Sequence, residues 1–216
     1  MLIATDLLKL SRYALAPETL LTEGGALASM VLNVVDGEIE FVGLRIEFEK
    51  THPDTPIIDL PGKAIVPGFI DCHAHVGQAF GKTLTGGEPS QIWKRIWVPL
   101  EGNHDPESIY ISAKWMFLEA LRGGFTSLNN FAIVDGEKAD AIHRAANDCG
   151  IRLISSTGVV ENLEASKSLT TGERNALIDR ALKRAENHLN ACKNKPTIIP
   201  VPTNSDSQGI PKRLIL

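Results

Sequence analysis

Two histidines one residue apart, His73 and His75, are the part of this 216-residue sequence whose types and spacing point most directly to chemistry. They close the run Pro67-Gly68-Phe69-Ile70-Asp71-Cys72-His73-Ala74-His75. In an extended strand alternate side chains share a face, so both imidazoles face one way while Cys72 and Ala74 face the other. Twice the rise per residue sets the two Cα atoms about 6–7 Å apart, a separation from which ring nitrogens can converge on one ion. Imidazole nitrogen suits Zn²⁺ or Fe²⁺, and a catalytic ion keeps one position open for water. Cys72, on the opposite face, is expected to be a buried structural thiol rather than a third ligand. A His-x-His pair arises often by chance; its weight here comes from lying at the C-terminal end of an apolar strand, where β/α folds carry their reactive groups.

The elements that position this pair can be read from the flanking pattern. Residues 64–70 form a nearly continuous apolar run, expected to be buried, and Pro61-Gly62 before it reads as a turn. A boundary is therefore expected near residue 63. Before it lies a small β unit: the run Leu27 to Val35, the Asp36-Gly37 turn and the alternating Glu38 to Val42 read as a hairpin. After it, strands alternate with helices. Asp105-Pro106-Glu107 is a helix start and Gly123-Gly124 a stop. Strands are expected from Phe125, from Ile151 and near Thr197, with helices from about Glu137 to Asp148 and from Thr171 to about Lys193. In the last helix Leu177, Ala181, Leu182, Ala185 and Leu189 recur at helical spacing. That order implies parallel strands with helices packed outside them.

Composition excludes several functions. The net charge of −4 is small and of the wrong sign for a nucleic-acid or anionic-membrane surface. The most apolar stretch, Ala26 to Val35, is interrupted by Ser29 and Asn33 and falls well short of the roughly 18 apolar residues of a bilayer helix. Met1 to Asp6 shows no secretory pattern, so a cytoplasmic location is expected. Cys72, Cys149 and Cys192, an odd and widely spaced set, fit reduced thiols better than a disulfide framework. The Gly24-Gly25, Gly86-Gly87 and Gly123-Gly124 pairs lack the spacing of a phosphate-cradling loop.

Four segments in order carry a family resemblance: Asp36-Gly37-Glu38-Ile39-Glu40-Phe41-Val42-Gly43, the stretch Leu60 to His75, Ile96-Trp97-Val98-Pro99-Leu100-Glu101, and Leu118 to Ser127. Over roughly residues 30–160 the chain resembles the amidohydrolase superfamily, in particular its deaminase and chlorohydrolase branch acting on nitrogen heterocycles, such as cytosine, guanine and S-adenosylhomocysteine deaminases. The resemblance implies an α/β fold: a small β-sandwich segment over residues 1–63, then the N-terminal half of a (β/α)8 TIM barrel over residues 64–216. It implies that His73 and His75 bind a divalent metal, zinc favoured over iron, which acidifies water for attack on a ring carbon bearing an amino or halide group. Glu101 becomes a candidate for orienting the small heterocyclic substrate, although its segment is one residue longer than the branch's Trp-Pro-x-Glu. Gln78 could hydrogen-bond a heterocycle edge. Trp93 and Trp97 read as a packing pair or an aromatic lid.

The chain departs from the family in length. A complete barrel takes about 250 residues, and residues 64–216 hold only about four β/α units. The family's further ligands, a His from the fifth strand, a His with a nearby Glu from the sixth and an Asp from the eighth, have no counterpart. His52, His104, His143 and His188 are expected to be surface or helix-face residues. Pro202-Thr203-Asn204-Ser205-Asp206 stands where the branch often carries a substrate-contacting His. An N-terminal portion of a longer enzyme is expected; the alternatives are a half-barrel that closes with a partner chain or a second copy, and a catalytically incomplete product acting only through association. Four parallel strands without their neighbours leave one sheet edge unpaired and one sheet face uncovered, an expected association surface.

Overall fold

The computed structural model describes residues 10–87, 91–132, 136–159, 169–192 and 198–204. The readings placed on Met1 to Asp6 and on Ser205-Asp206 lie outside these, as do the side chains of Leu177, Ala181, Ala185, His188, Leu189 and Cys192. The chain divides into two compact units, Met1–Pro67 and Gly68–Leu216.

In the first unit β1 (Arg12–Thr22), β2 (Gly25–Leu27), β3 (Met30–Val35), β4 (Glu38–Leu44) and β5 (Ile57–Ile65) form one five-stranded sheet. The β3–β4 hairpin turns on Asp36 and Gly37, whose φ values of 50° and 84° meet the demand of a tight two-residue turn for two left-handed residues. β1 pairs antiparallel with β3 and parallel with β5. A short helix, α1 (Arg45–Thr51), buries Phe48 against Ala14, Ala16 and Val31. Where a two-layered sandwich is expected, the described residues show one sheet and this helix. Pro61-Gly62 is not a turn. β5 runs through it, because Gly62 at φ 69° forms an irregularity matched by a register shift in β1 between Pro17 and Thr19, and its N–H donates to Glu18 Oε2 at 2.9 Å.

In the second unit four strands pair in parallel and in chain order: β6 (Phe69–Ala74), β7 (Phe125–Ala132), β8 (Arg152–Val159) and β9 (Ile198–Asn204). A 3₁₀ segment (Val76–Thr85), a π-helical turn (Trp93–Trp97), α2 (Val98–Asn103) and α3 (Pro106–Arg122) connect β6 to β7. Helices α4 (Gly136–Cys149) and α5 (Thr171–Cys192) follow β7 and β8. Ile109, Ala113 and Phe117 recur every fourth residue on α3 and meet Ala141, Ile142, Ala145 and Ala146 of α4 over Leu128 and Leu153 of the sheet. α3 stops where Gly124 takes φ 86°.

Coverage of β6 differs from expectation. The apolar run before the histidines is not buried: Phe69 is 56% and Ile70 61% exposed. Among the described residues β6 pairs only with β7, so its far edge has no neighbour. Ile111, Trp115 and Leu118 of α3, on the face away from the core, are also about half exposed. Among the described residues no helix is long and apolar enough to cross a membrane.

The start of α3 is built as a reciprocal cap. The Ser108 N–H donates to Asp105 Oδ1 at 2.7 Å and the Asp105 N–H donates to Ser108 Oγ at 2.9 Å. The Ser108 backbone N–H holds the Asp105 carboxyl below its ordinary pKa. The cap's contribution is therefore complete above the ordinary aspartate pKa and is lost as pH falls through the depressed folded value. Asp105→Ala is expected to lower the thermal midpoint by about 2–4 °C at neutral pH, and by less in acid, as checked by calorimetry across a pH series.

Candidate metal and substrate site

His73 lies near the end of β6 and His75 follows its last residue, so strand alternation sends both rings to one side. Their Nε2 atoms are 3.2 Å apart and the rings are nearly perpendicular, with centroids 4.9 Å apart. Two imidazole nitrogens this close share either a proton or an ion. Bonds of about 2.0–2.1 Å at a tetrahedral angle place two nitrogens about 3.3–3.4 Å apart, so the pair fits zinc with almost no movement. His73 is steadied by its own N–H, which donates to Asp71 Oδ1 at 3.1 Å.

Gln78 and Glu101 come to the same place from different elements. Gln78, in the 3₁₀ segment, donates from Nε2 to Glu101 Oε1 at 2.6 Å. The same oxygen lies 3.4 Å from His75 Nδ1, a buried nitrogen with no hydrogen bond in this structure. A metal on Nε2 requires the hydrogen on Nδ1, and a carboxylate beside that hydrogen is the usual outer partner of a metal-bound histidine. The carboxylate is only 11% exposed. The extra residue in the Glu101 segment coincides with the π-helical turn: the Val98 N–H donates to Trp93 O, and this wider turn takes up one additional residue.

Other expectations change. Cys72 is exposed, not buried, on β6, which stands at the edge of its sheet among the described residues. Cys149 is a half-buried free thiol whose pKa is raised by burial. His104 and His143 are not surface residues. His104 is 8% exposed and bonded at both nitrogens, and His143 turns inward from α4 to place Nε2 3.0 Å from Ser155 Oγ of β8. His52 stacks on Phe48 in the first unit. Trp93 and Trp97 have separate neighbours: Trp93 stands edge-on to His75 at 6.4 Å, and Trp97 packs over Gly81.

Sequence reasoning missed Phe131. Its ring lies 5.4 Å from that of His75 and 6.4 Å from that of His73, forming an apolar wall beside both. The available signal was its place near the C-terminal end of the strand after the histidine strand, since parallel neighbours bring their ends together. Among the described residues no group of three or more His, Cys, Asp or Glu is placed to hold a metal ion. The pair therefore supplies only part of a coordination shell.

The amidohydrolase family profile matches residues 64–207. The 5-methylthioadenosine/S-adenosylhomocysteine deaminase of Nitratidesulfovibrio vulgaris is 28% identical over 138 residues, which are 63% of this chain and 29% of that protein. Two solved structures show the same fold. A zinc-bound adenosine deaminase from Xanthomonas campestris superposes with a TM-score of 0.69 at 18% identity, covering 89% of this chain and 42% of that one. Guanine deaminase from E. coli gives 0.68 at 19% identity, covering 88% and 45%. The chain thus spans under a third of the curated relative and under half of either solved neighbour. With the profile running from the end of β5 through β9 and the histidine pair inside it, the chain belongs to the amidohydrolase family.

Proposed function

We propose that this chain carries the first two ligands of a divalent-metal site, zinc before iron, in an enzyme that deaminates a small nitrogen heterocycle by hydrolysis. The approach of His73 Nε2 to His75 Nε2, at the C-terminal end of a parallel sheet, carries the reading. When bound, the ion lowers the pKa of water so that it can attack at neutral pH. The chain's own residues have separate tasks. His73 and His75 hold the ion. Gln78 fixes Glu101 through Oε1, and the other carboxylate oxygen is left to accept an N–H of the heterocycle. Phe131 keeps water from the flank of the imidazoles, which strengthens charge interactions at that side. The remaining donors and a proton shuttle come from residues beyond those described, on a longer form of the chain or on a partner chain of different sequence. Relatives named as methylthioadenosine and S-adenosylhomocysteine deaminases favour a purine nucleoside as substrate.

A second reading, a half-barrel that acts only by association, is favoured by the exposed α3 face and by the β6 edge, which has no strand neighbour among the described residues. One experiment separates the two. The chain is joined at its C-terminus to the later barrel half of the Nitratidesulfovibrio relative, loaded with zinc and assayed for ammonia release from 5-methylthioadenosine. Deamination that His73→Ala abolishes supports the enzyme. A folded, zinc-loaded hybrid that releases no ammonia from this substrate, S-adenosylhomocysteine or guanine favours association.

A further inference from the structure

The backbone just past His75 leaves the sheet at full burial. β6 ends at Ala74, paired with Asn130 of β7, and the chain then turns into the 3₁₀ segment. Val76 is 0% exposed and Gly77 is also buried, so their peptide groups have no access to water and no strand to pair with. Three side chains from three places take over. The Val76 N–H donates to Asn130 Oδ1 at 3.0 Å. Ser112 Oγ, on α3, donates to Val76 O at 2.9 Å. His104 Nε2, just before the α3 cap, lies 2.7 Å from Gly77 O. A carbonyl only accepts, so Nε2 carries the hydrogen, while Nδ1 lies 3.1 Å from Ser108 Oγ. Asn130 and Ser112 are 0% exposed and His104 8%.

We infer that Asn130, Ser112 and His104 are positioning residues that clamp the peptide units after His75 and thereby hold its imidazole on the shared axis with His73. The inference rests on the proposed metal reading. The physical reason lies in the backbone conformation. His75 is the hinge between strand and 3₁₀ turn, at φ −124° and ψ 90°, and nothing in the sheet ladder fixes it beyond Ala74. A rotation there moves Nε2 away from its partner, and a pair of donors that must be re-gathered binds an ion less tightly. Gln78, whose N–H donates to His75 O at 3.0 Å, is carried by the same clamp, so the contact to Glu101 depends on it too.

The test uses the purified chain and Co²⁺ alone as probe, read by its visible absorption, beside hydrogen exchange at the Val76 amide. Ser112→Ala and His104→Phe are expected to weaken Co²⁺ binding about 10–100-fold while far-UV circular dichroism stays unchanged. His104→Gln, which keeps a donor for Gly77 O, is expected to restore binding to within about threefold of wild type. Asn130→Leu should speed Val76 amide exchange and weaken Co²⁺ binding together. Faster exchange with unchanged Co²⁺ affinity would show the clamp to be merely structural and overturn the inference, as would failure of the glutamine to rescue. If wild type and the His73→Ala/His75→Ala variant bind Co²⁺ equally, the metal reading falls first and takes the inference with it.

Discussion

Replacing His73 and His75 together by Ala is expected to lower zinc affinity by at least about 100-fold, measured by competition with a chromophoric chelator. The expectation follows from the donor count. Among the described residues no larger set of His, Cys, Asp or Glu is placed to share an ion, so both nitrogens that stand 3.2 Å apart are lost at once. Either single variant should lose most of the affinity, because one imidazole on a surface binds zinc weakly. Cys72→Ser is the matched control: strand alternation turns its thiol away from the imidazoles, and affinity should stay within about twofold. Wild-type affinity in the double variant would place the ion elsewhere and end the metal assignment.

Phe117→Ala should produce the largest loss of stability, about 3–5 kcal/mol. The ring is 0% exposed and packs among Ile109, Ala113 and the alanine face of α4, so its removal leaves a cavity that rigid helix packing cannot close. A domain of this size has roughly 5–15 kcal/mol in total, so the variant should be close to unfolding at 37 °C. Urea titration checks this as a fall in midpoint with an unchanged slope. Trp115→Ala, two residues earlier in the same helix but on its exposed face, should change the stability of the isolated chain by no more than about 0.5 kcal/mol. If a partner covers that face, the same variant should weaken the association and leave the isolated chain unaffected.

Much of the second unit was legible because its signals are local. Asp105-Pro106 and Gly123-Gly124 bracket α3 within one residue at either end, since capping and left-handed glycine depend only on neighbours along the chain. The histidine pair was legible for the same reason: alternation along one strand needs no knowledge of the rest of the fold. The insertion before Glu101 was visible as one residue too many, but its absorption by a π turn depends on how α2 packs against the 3₁₀ segment. Residues up to 26 were opaque as a sequence, since β1 pairs with strands up to 45 residues away, and Pro17 within it reads against a central strand.

What the amino-acid order determined by itself is therefore the strands β6 to β9 and the helices α3 to α5, the common face of His73 and His75, and the family those residues belong to. What only the tertiary structure decided is which surfaces are covered. It exposes Cys72, Phe69 and Ile70 on an edge strand, buries His104 and His143, and sets Phe131 and Glu101 beside the imidazoles. Local preference acts through bonds between near neighbours, whereas burial depends on residues tens of positions away, whose approach is settled only when the sheet and its helices pack together.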